Sequence, residues 1–303
     1  MERVALVTAG LSGLGKAITE RLLEEGYRVA ATTRKPSGIA AGASLSQRDR
    51  LLVARWHTDR PATDARLVAE TLDRFGRLDA LILNAGPYHR VPLKLADTPD
   101  AIFQSMLDGN LGASFRLMRA ALPALRTCPH ARIVTVGYVG AGAALGWPER
   151  GPYAAAKAGL AALTRTVAAE EREHGITANM VCPSDIRAGD KGRREGRGRG
   201  PVGGDVARLI SFLLAETSDH LTGQVLDLAF APASMAAKAG IAVPVPSRQR
   251  PRGSAVHPRG WSAPGRIEDA RLCGDEWEYQ VRIAELLAWI RESDLEAPGE
   301  SQP

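Results

Sequence analysis

The chain has little cysteine, few aromatic residues and no long apolar run. Its three cysteines, Cys128, Cys182 and Cys273, are odd in number and widely spaced among 303 residues, which argues against a disulfide framework and against a zinc site. No segment approaches the roughly 18 to 20 apolar residues that a membrane-spanning helix needs. Because the first predicted strand begins at residue 3, we also expect no cleaved signal peptide. These absences predict a cytoplasmic protein with no metal site and no membrane association.

A strong overall charge is also missing, because 39 Lys and Arg face 34 Asp and Glu. Positive charge is concentrated locally, because residues 186–204 are rich in glycine and carry six Lys or Arg against two acids. We interpret this segment either as a cover that attracts an anionic substrate or an acidic carrier protein, or as a solvated loop. Aromatic residues do not alternate with its arginines as base-stacking platforms would, so nucleic-acid binding is the least favoured interpretation.

The chain does contain a regular alternation of apolar, strand-like segments with amphipathic, helix-like ones. This order is typical of an α/β fold with a doubly wound parallel sheet of the Rossmann type, which carries helices on both faces. The predicted strands are 3–8, 27–33, 51–57, 79–84, 132–137, 176–182 and 225–229, and the predicted helices are 13–25, 63–75, 99–126, 153–174 and 204–215.

The composition changes after the last predicted strand. We predict a dinucleotide-binding domain at 1–235, a linker rich in Pro and Arg at 236–266, and an acidic C-terminal part at 267–303. In the last part, apolar residues on one side and acids on the other predict an amphipathic helix from about Glu276 to Glu292. The alternatives for its apolar face are docking on its own domain or on a twin subunit, binding of a separate partner, and disorder.

Tyr153 and Lys157 form the most informative motif. They lie four residues apart in a predicted helix, so both side chains share one helix face. An ammonium there favours the phenolate and lowers the phenol pKa from about 10. Such a tyrosine serves as general acid for a carbonyl or as general base for an alcohol. The same spacing occurs by chance on solvated helices, so the motif needs support from other segments.

A glycine-rich turn near the start of the chain gives that support. The strand that ends at Thr8 is followed by Ala9-Gly10-Leu11-Ser12-Gly13-Leu14-Gly15 and then by a helix. Backbone N–H groups at such a helix N-terminus hold a pyrophosphate, and glycine permits the close approach. The turn therefore predicts dinucleotide contacts from Thr8, Gly10, Ser12, Gly13, Leu14 and Gly15.

Further segments make the pattern specific. An apolar strand runs into Asn84-Ala85-Gly86, Asn110 lies in the next helix, and Asn179-Met180-Val181-Cys182-Pro183 follows the helix of Tyr153. Together with the turn and the Tyr-Lys pair, they resemble the signatures of the short-chain dehydrogenase/reductase family over residues 2–231. Within that family the chain looks most like the bacterial 3-oxoacyl-[acyl-carrier-protein] reductases. One departure is Ala9-Gly10, which reverses the usual family order.

The resemblance implies a role for each matching residue. Tyr153 would give a proton to the substrate carbonyl as hydride arrives from the nicotinamide, and Lys157 would lower the phenol pKa and bond the nicotinamide ribose. Asn110 would hold a water that relays protons; its alternative is a structural asparagine that bonds a backbone carbonyl. Besides Tyr153 and Lys157, the cofactor contacts implied outside the turn are Asp59, Asn84, Ala85, Gly86, Pro183 and Ile186.

One member of the family's catalytic set is missing. The family normally has a serine after the fifth strand, about 13 residues before the tyrosine, yet no serine lies between Ser114 and Ser184. Tyr138 occupies that position when the chain is aligned from the strand, and Gly140 does when it is counted back from Tyr153. We take Tyr138 as the candidate replacement. Losing one oxyanion donor commonly costs about 10² to 10³ in rate, so we expect weak or retuned activity.

The choice of cofactor depends on the end of the second predicted strand. An acidic residue there would bind the ribose 2′-hydroxyl of NAD, but Arg34 and Lys35 occupy the position. Their cations suit a 2′-phosphate, which favours NADP(H) over NAD(H); the alternative is two surface charges at a strand end.

The sequence therefore predicts an NADPH-dependent reductase of a ketone or 3-oxoacyl-type carbonyl. Its substrate would be a small molecule or an acyl thioester, and the family resemblance implies a homo-oligomer. The alternative is a catalytically impaired NADP(H)-binding scaffold or sensor, which acts through the basic loop and the C-terminal helix.

Overall fold

The structure is a computed structural model of the chain. It describes residues 2–34, 49–89, 91–184, 186 and 202–228, and the backbone of 255–256, 265–273, 276–283 and 286–291. Lys35, the basic residues at 187–201 and most of the predicted linker lie outside this description. The chain divides into two compact units, and each is described separately.

The first unit is built on seven strands, each parallel to its neighbours. The strands are β1 (Val4–Val7), β2 (Arg28–Thr33), β3 (Leu51–Arg55), β4 (Ala80–Leu83), β5 (Arg132–Val136), β6 (Thr177–Pro183) and β7 (Val225–Leu228). Their order in the sheet is β3-β2-β1-β4-β5-β6-β7. This confirms the predicted Rossmann-type α/β fold, and each predicted strand matches an observed one to within two residues at either end.

In the described part of the chain, six α-helices lie between these strands. They are α1 (Gly13–Glu24), α2 (Ala62–Phe75), α3 (Asp100–Leu107), α4 (Ala113–Leu125), α5 (Gly151–Glu170) and α6 (Gly203–Leu214). The helix predicted at 99–126 is divided by a π-helical turn at Asp108–Gly112. Within the described ranges, no helix combines the length and the apolarity needed to cross a membrane.

The core lies on both faces of the sheet. In β1, Val4 and Leu6 pack into one apolar cluster with residues of α2, α4 and α5. Ala5 and Val7 pack into a second cluster with residues of α1 and α6. Neither face of the strand meets water. The sequences of β1 and its neighbours are therefore continuous apolar runs, without the alternation that is typical of half-exposed strands.

The strand order places a crevice at the centre of the sheet. The chain proceeds from β1 to β2 and β3 on one side, then crosses to β4 and continues on the other side. In open α/β sheets, ligands bind outside the carboxyl ends of the strands at this point. Thr8 follows β1 and Asn84 follows β4 here, so two of the predicted motifs meet at the crevice.

The second unit contains four antiparallel strands, β8 (Ala255–Val256), β9 (Gly265–Cys273), β10 (Glu276–Ile283) and β11 (Leu286–Arg291). The helix predicted from Glu276 to Glu292 is therefore wrong. The sequence carries the physical reason: Trp277, Tyr279, Val281 and Ile283 recur at every second position, which is the period of a strand. The predicted linker boundaries at 236 and 266 stay predictions.

Candidate active site

The glycine-rich turn ends at the N-terminus of α1. Ser12 is the exposed N-cap residue and makes no capping hydrogen bond. Gly13 follows with φ +52°, a left-handed conformation that glycine adopts without steric cost. The first N–H groups of an α-helix have no intrahelical acceptor and carry a partial positive charge. The turn therefore fits a phosphate group of a dinucleotide.

Close backbone packing explains two of the glycines. A Cβ on Gly15 would lie 2.0 Å from the carbonyl oxygen of Ala9. A Cβ on Gly10 would lie 2.8 Å from both the Ala31 Cβ and the Thr19 Oγ1. Real Cβ atoms do not approach other atoms this closely, so both positions require glycine. The structure thus gives Gly10 a packing role against β2 and α1.

Thr8 joins the ends of β1 and β4. Its side chain is 1% exposed, and its Oγ1 accepts hydrogen bonds from the N–H groups of Asn84 and Ala85, both at 2.9 Å. The Thr8 hydroxyl donates to the Ile82 carbonyl at 3.3 Å, and Asn84 Nδ2 donates to the Thr8 carbonyl at 3.1 Å. Thr8 is therefore placed to fix the Asn84-Ala85 backbone.

Asn110 lies in the π-helical turn and is fully buried. Its Nδ2 donates to the carbonyls of Pro87, at 2.9 Å, and of Met106, at 3.1 Å. These bonds match the structural alternative, in which the asparagine serves the backbone where a helix is distorted. Its Oδ1 has no hydrogen-bond partner among the described residues, and a Cβ on Gly86 would lie 2.0 Å from it. The water-relay role stays a prediction.

Tyr153 and Lys157 lie one turn apart on α5, beside the end of β5. Lys157 is 3% exposed, and its Nζ donates to the Val136 carbonyl at 2.7 Å. The same Nζ lies 5.8 Å from the centroid of the Tyr153 ring. Burial lowers the pKa of Lys157 to about 8, while the nearby Cys182 thiol acts in the opposite direction.

The pKa of Tyr153 differs from the expectation. Burial raises this pKa well above its usual value, and the neighbouring Tyr88 and Cys182 raise it further. The expected lowering by Lys157 is not seen in this structure. The physical reason is that the lysine is itself buried, so desolvation disfavours the charged form of both groups.

Tyr138, the candidate replacement for the serine, is 6% exposed. Its hydroxyl donates a hydrogen bond to the backbone carbonyl of Leu145. The proton that would serve a substrate oxygen is therefore directed at the backbone. Tyr138 occupies the serine's place in the sequence, and in this structure its hydroxyl serves the backbone.

An aromatic cluster surrounds Tyr153. Besides Tyr153 it contains Tyr88, Tyr138 and Trp147, with ring centroids 5.2 Å apart for Tyr88 and Tyr153 and 6.0 Å apart for Trp147 and Tyr153. Sequence reasoning missed Tyr88 and Trp147. The available signal was position, because Tyr88 is only two residues beyond Gly86.

An open cleft lies beside Tyr153. It combines apolar side chains with a few polar ones, as ligand sites usually do. The lining residues are His89, Leu93, Thr98, Ile102, Met106, Glu149, Arg150, Pro152 and Tyr153.

Three of the other predicted residues lie at or just beyond the carboxyl ends of strands. Arg34 is exposed beyond β2 and Asp59 is exposed beyond β3. Pro183 ends β6, and Ile186 is buried in the core cluster of α1 and α6. Lys35 lies outside the described residues. Among the described residues, no group of three or more His, Cys, Asp or Glu side chains is arranged to hold a metal ion.

The backbone before Asp59 is held by a partly buried ion pair. Arg116 Nη2 donates to the Thr58 carbonyl at 2.7 Å, and Arg116 Nε donates to Asp64 at 2.9 Å. Asp64 also accepts a hydrogen bond from Trp56 Nε1 at 2.7 Å. This network was not predicted, and it fixes the segment that carries Asp59 beside the crevice.

Comparison with known proteins agrees with this geometry. The family model for short chain dehydrogenase matches residues 3–195. The chain belongs to this family. It is therefore a family oxidoreductase, and the family implies a nicotinamide cofactor.

Similar proteins extend the match beyond the family model. A Bacillus subtilis protein provisionally named an oxidoreductase, YtkK, is 43% identical over 74% of this chain and 94% of its own length. The 3-oxoacyl-[acyl-carrier-protein] reductase FabG of Escherichia coli is 32% identical, with 74% of this chain and 94% of that protein covered. A solved structure of a Bacillus thuringiensis protein, provisionally named a 3-oxoacyl-reductase, is 40% identical with a TM-score of 0.71, covering 75% of this chain and 97% of that one.

Proposed function

We propose that this chain is an NADPH-dependent reductase that transfers hydride to a ketone or 3-oxoacyl-type carbonyl, with Tyr153 as general acid. The observation that carries the proposal is the placement of Tyr153 and buried Lys157 on α5, beside the carboxyl end of β5 and the open cleft. The glycine-rich turn lies at the same edge of the sheet, so one dinucleotide can reach both regions.

The protonation state of Tyr153 supports reduction. Because burial raises its pKa, the phenol keeps its proton at neutral pH and can give it to a carbonyl oxygen that gains negative charge. Lys157, with a pKa of about 8, is mostly protonated at pH 7, and its bond to the Val136 carbonyl fixes its position. The nicotinamide supplies the hydride when it is bound. Thr8 and Asn84 hold the backbone against which the dinucleotide would lie.

Arg34 supports the preference for NADPH. It is exposed at the end of β2, where an acid would select NAD through the ribose hydroxyls. Arg34→Asp should weaken NADPH binding by at least about tenfold while NADH binding stays the same or strengthens. Fluorescence titration with both nucleotides measures this. Equal weakening for both nucleotides would contradict a contact with the 2′-phosphate.

We infer the substrate class from the names of similar proteins. Proteins named as 3-oxoacyl reductases are among the similar ones. An acyl thioester is therefore the first substrate class to test. A homo-oligomer and a cytoplasmic location stay predictions from the family resemblance and the sequence.

The test is NADPH oxidation by the purified protein with acetoacetyl thioesters, diketones, quinones and aldehydes. Turnover that Tyr153→Phe abolishes, while NADPH binding persists, supports the reductase. Tyr27→Phe is the matched control, since this buried tyrosine lies beside Arg3 and away from the cluster. Tight NADPH binding with no turnover on any substrate would favour the alternative scaffold. Absence of binding to either nicotinamide nucleotide would overturn both.

A further inference from the structure

The site lacks the serine that gives the substrate oxygen a second hydrogen bond in the family. Tyr153 gives its proton to that oxygen, but no serine lies in β5 or in the loop after it. Gly137 and Gly140 have no side-chain donor, and the Gly140 N–H is bonded to the Asp227 carboxylate at 3.2 Å. The Tyr138 hydroxyl donates to Leu145. A side chain of another element can supply this second hydrogen bond.

Tyr88 lies beside Tyr153 and carries a hydroxyl group. It follows β4 in the loop beyond Gly86, and its ring meets the Tyr153 ring edge-on, with centroids 5.2 Å apart and an interplanar angle of 88°. It is 46% exposed, and its neighbours His89 and Arg150 line the cleft. Among the neighbouring ionisable groups, Tyr88 raises the pKa of Tyr153 more than Tyr138 does, which is consistent with a position near the Tyr153 phenol.

The hydrogen bonding of the Tyr88 hydroxyl also suits a donor. Arg150 Nε donates a hydrogen bond to the Tyr88 oxygen at 2.9 Å, so that oxygen acts as the acceptor. No described residue accepts the Tyr88 proton. A hydrogen bond received by the oxygen polarises the O–H group and strengthens it as a donor. Arg150 precedes α5 and thus links Tyr88 to the helix that carries Tyr153.

We propose that Tyr88 donates a hydrogen bond to the substrate carbonyl oxygen, in place of the family serine, and that Arg150 is its positioning residue. This inference rests on the proposed reductase function. Tyr88 keeps its own proton throughout: hydride reaches the carbonyl carbon, the proton of Tyr153 reaches the oxygen, and Tyr88 stabilises the negative charge that develops between these events.

The test compares Tyr88→Phe with Tyr138→Phe, which removes a hydroxyl from the same aromatic cluster. With a substrate that the wild-type protein reduces, Tyr88→Phe should lower kcat/KM by about 10²- to 10³-fold and leave the NADPH dissociation constant unchanged. Tyr138→Phe should lower kcat/KM by less than about tenfold. A loss below about threefold for Tyr88→Phe, or the reverse order of the two variants, overturns the inference and leaves the reductase in place.

A double-mutant cycle tests Arg150. Arg150→Met should lower kcat/KM in the wild-type background and have little further effect in Tyr88→Phe, because its contribution passes through the Tyr88 hydroxyl. Additive losses would overturn the positioning role. If the wild-type protein binds NADPH and reduces no carbonyl, the proposed function fails and the role of Tyr88 fails with it.

Discussion

The hydroxyl of Tyr138 donates its hydrogen bond to the carbonyl of Leu145, which ties together two parts of the segment between β5 and α5. A second tie holds the same segment, because the Asp227 carboxylate accepts from the Gly140 N–H. Gly140 itself has φ +93°, a left-handed conformation that favours glycine. The segment beside Tyr153 is therefore held by one internal hydrogen bond and by one contact with β7.

Tyr138→Phe should destabilise the protein by about 1 kcal/mol, because it removes this hydrogen bond and keeps the ring packing. Urea denaturation followed by circular dichroism measures the change. Tyr27→Phe is the control, since the Tyr27 hydroxyl makes no hydrogen bond with the described residues, and it should shift the free energy of unfolding far less. Equal effects of the two variants would show that the Leu145 bond adds no stability.

Gly86→Ala should destabilise the protein by about 1 to 3 kcal/mol, the usual effect of overpacking. The new Cβ would lie 2.0 Å from Asn110 Oδ1, and Asn110 is held by two backbone carbonyls. Thermal unfolding and NADPH titration should both change, since residues 84–86 line the crevice. For Gly146→Ala, where no atom lies within 4 Å of the new Cβ, we expect a change within about 0.5 kcal/mol. A tolerated Gly86→Ala would mean that Asn110 moves freely.

Ala9→Gly should stabilise the protein by about 0.5 to 1 kcal/mol, because Ala9 has φ +51° and glycine removes the left-handed strain at some entropic cost. Gly10→Ala should have the opposite effect, since its Cβ would contact Ala31 and Thr19 at 2.8 Å. Ala144→Gly is the comparison: Ala144 has φ +52° outside the turn, so the backbone contribution can be measured there alone. Destabilisation by Ala9→Gly would mean that the alanine methyl group makes packing contacts that outweigh its strain.

Sequence reasoning succeeded where local pattern and topology coincide. The seven strands are apolar runs because the sheet is covered on both faces, and the glycine-rich turn signals the crevice because its conformation requires glycine. Tyr153 and Lys157 share a helix face through their spacing alone. Each of these features depends on residues close together in the chain.

What the sequence did not predict depends on how the folded chain packs. The sequence does not show that the Tyr138 proton is used by the Leu145 carbonyl, or that burial outweighs the effect of Lys157 on the pKa of Tyr153. The helix prediction that includes residues 276–283 failed for a different reason. The apolar residues there fit one face of a helix as well as the strict alternation of a strand. There the aromatic and β-branched residues at alternate positions favour the strand, and that signal was given too little weight.

Lys157 should make stability depend on pH in the protein without cofactor. Its pKa falls from 10.5 in the unfolded chain to about 8 in the folded one. Between these values the unfolded chain binds a proton that the folded chain does not, so this group makes stability rise with pH. Below pH 8 the cost of burying the charge is present in full, at about 3 kcal/mol by the pKa difference, and it disappears as the pH rises towards 10.5.

Comparison with Lys157→Met isolates this contribution from the other groups that titrate in alkali. The variant lacks the charge at every pH, so its stability relative to the wild-type protein should be highest at pH 7 and should decrease by up to about 3 kcal/mol by pH 10. Urea denaturation at pH 7, 8.5 and 10 measures the difference. Lys94→Met, at an exposed lysine, is the matched control and is measured at the same three pH values. A difference for Lys157→Met that stays constant across this range would mean that water reaches the ammonium and that Lys157 stays charged in the folded protein.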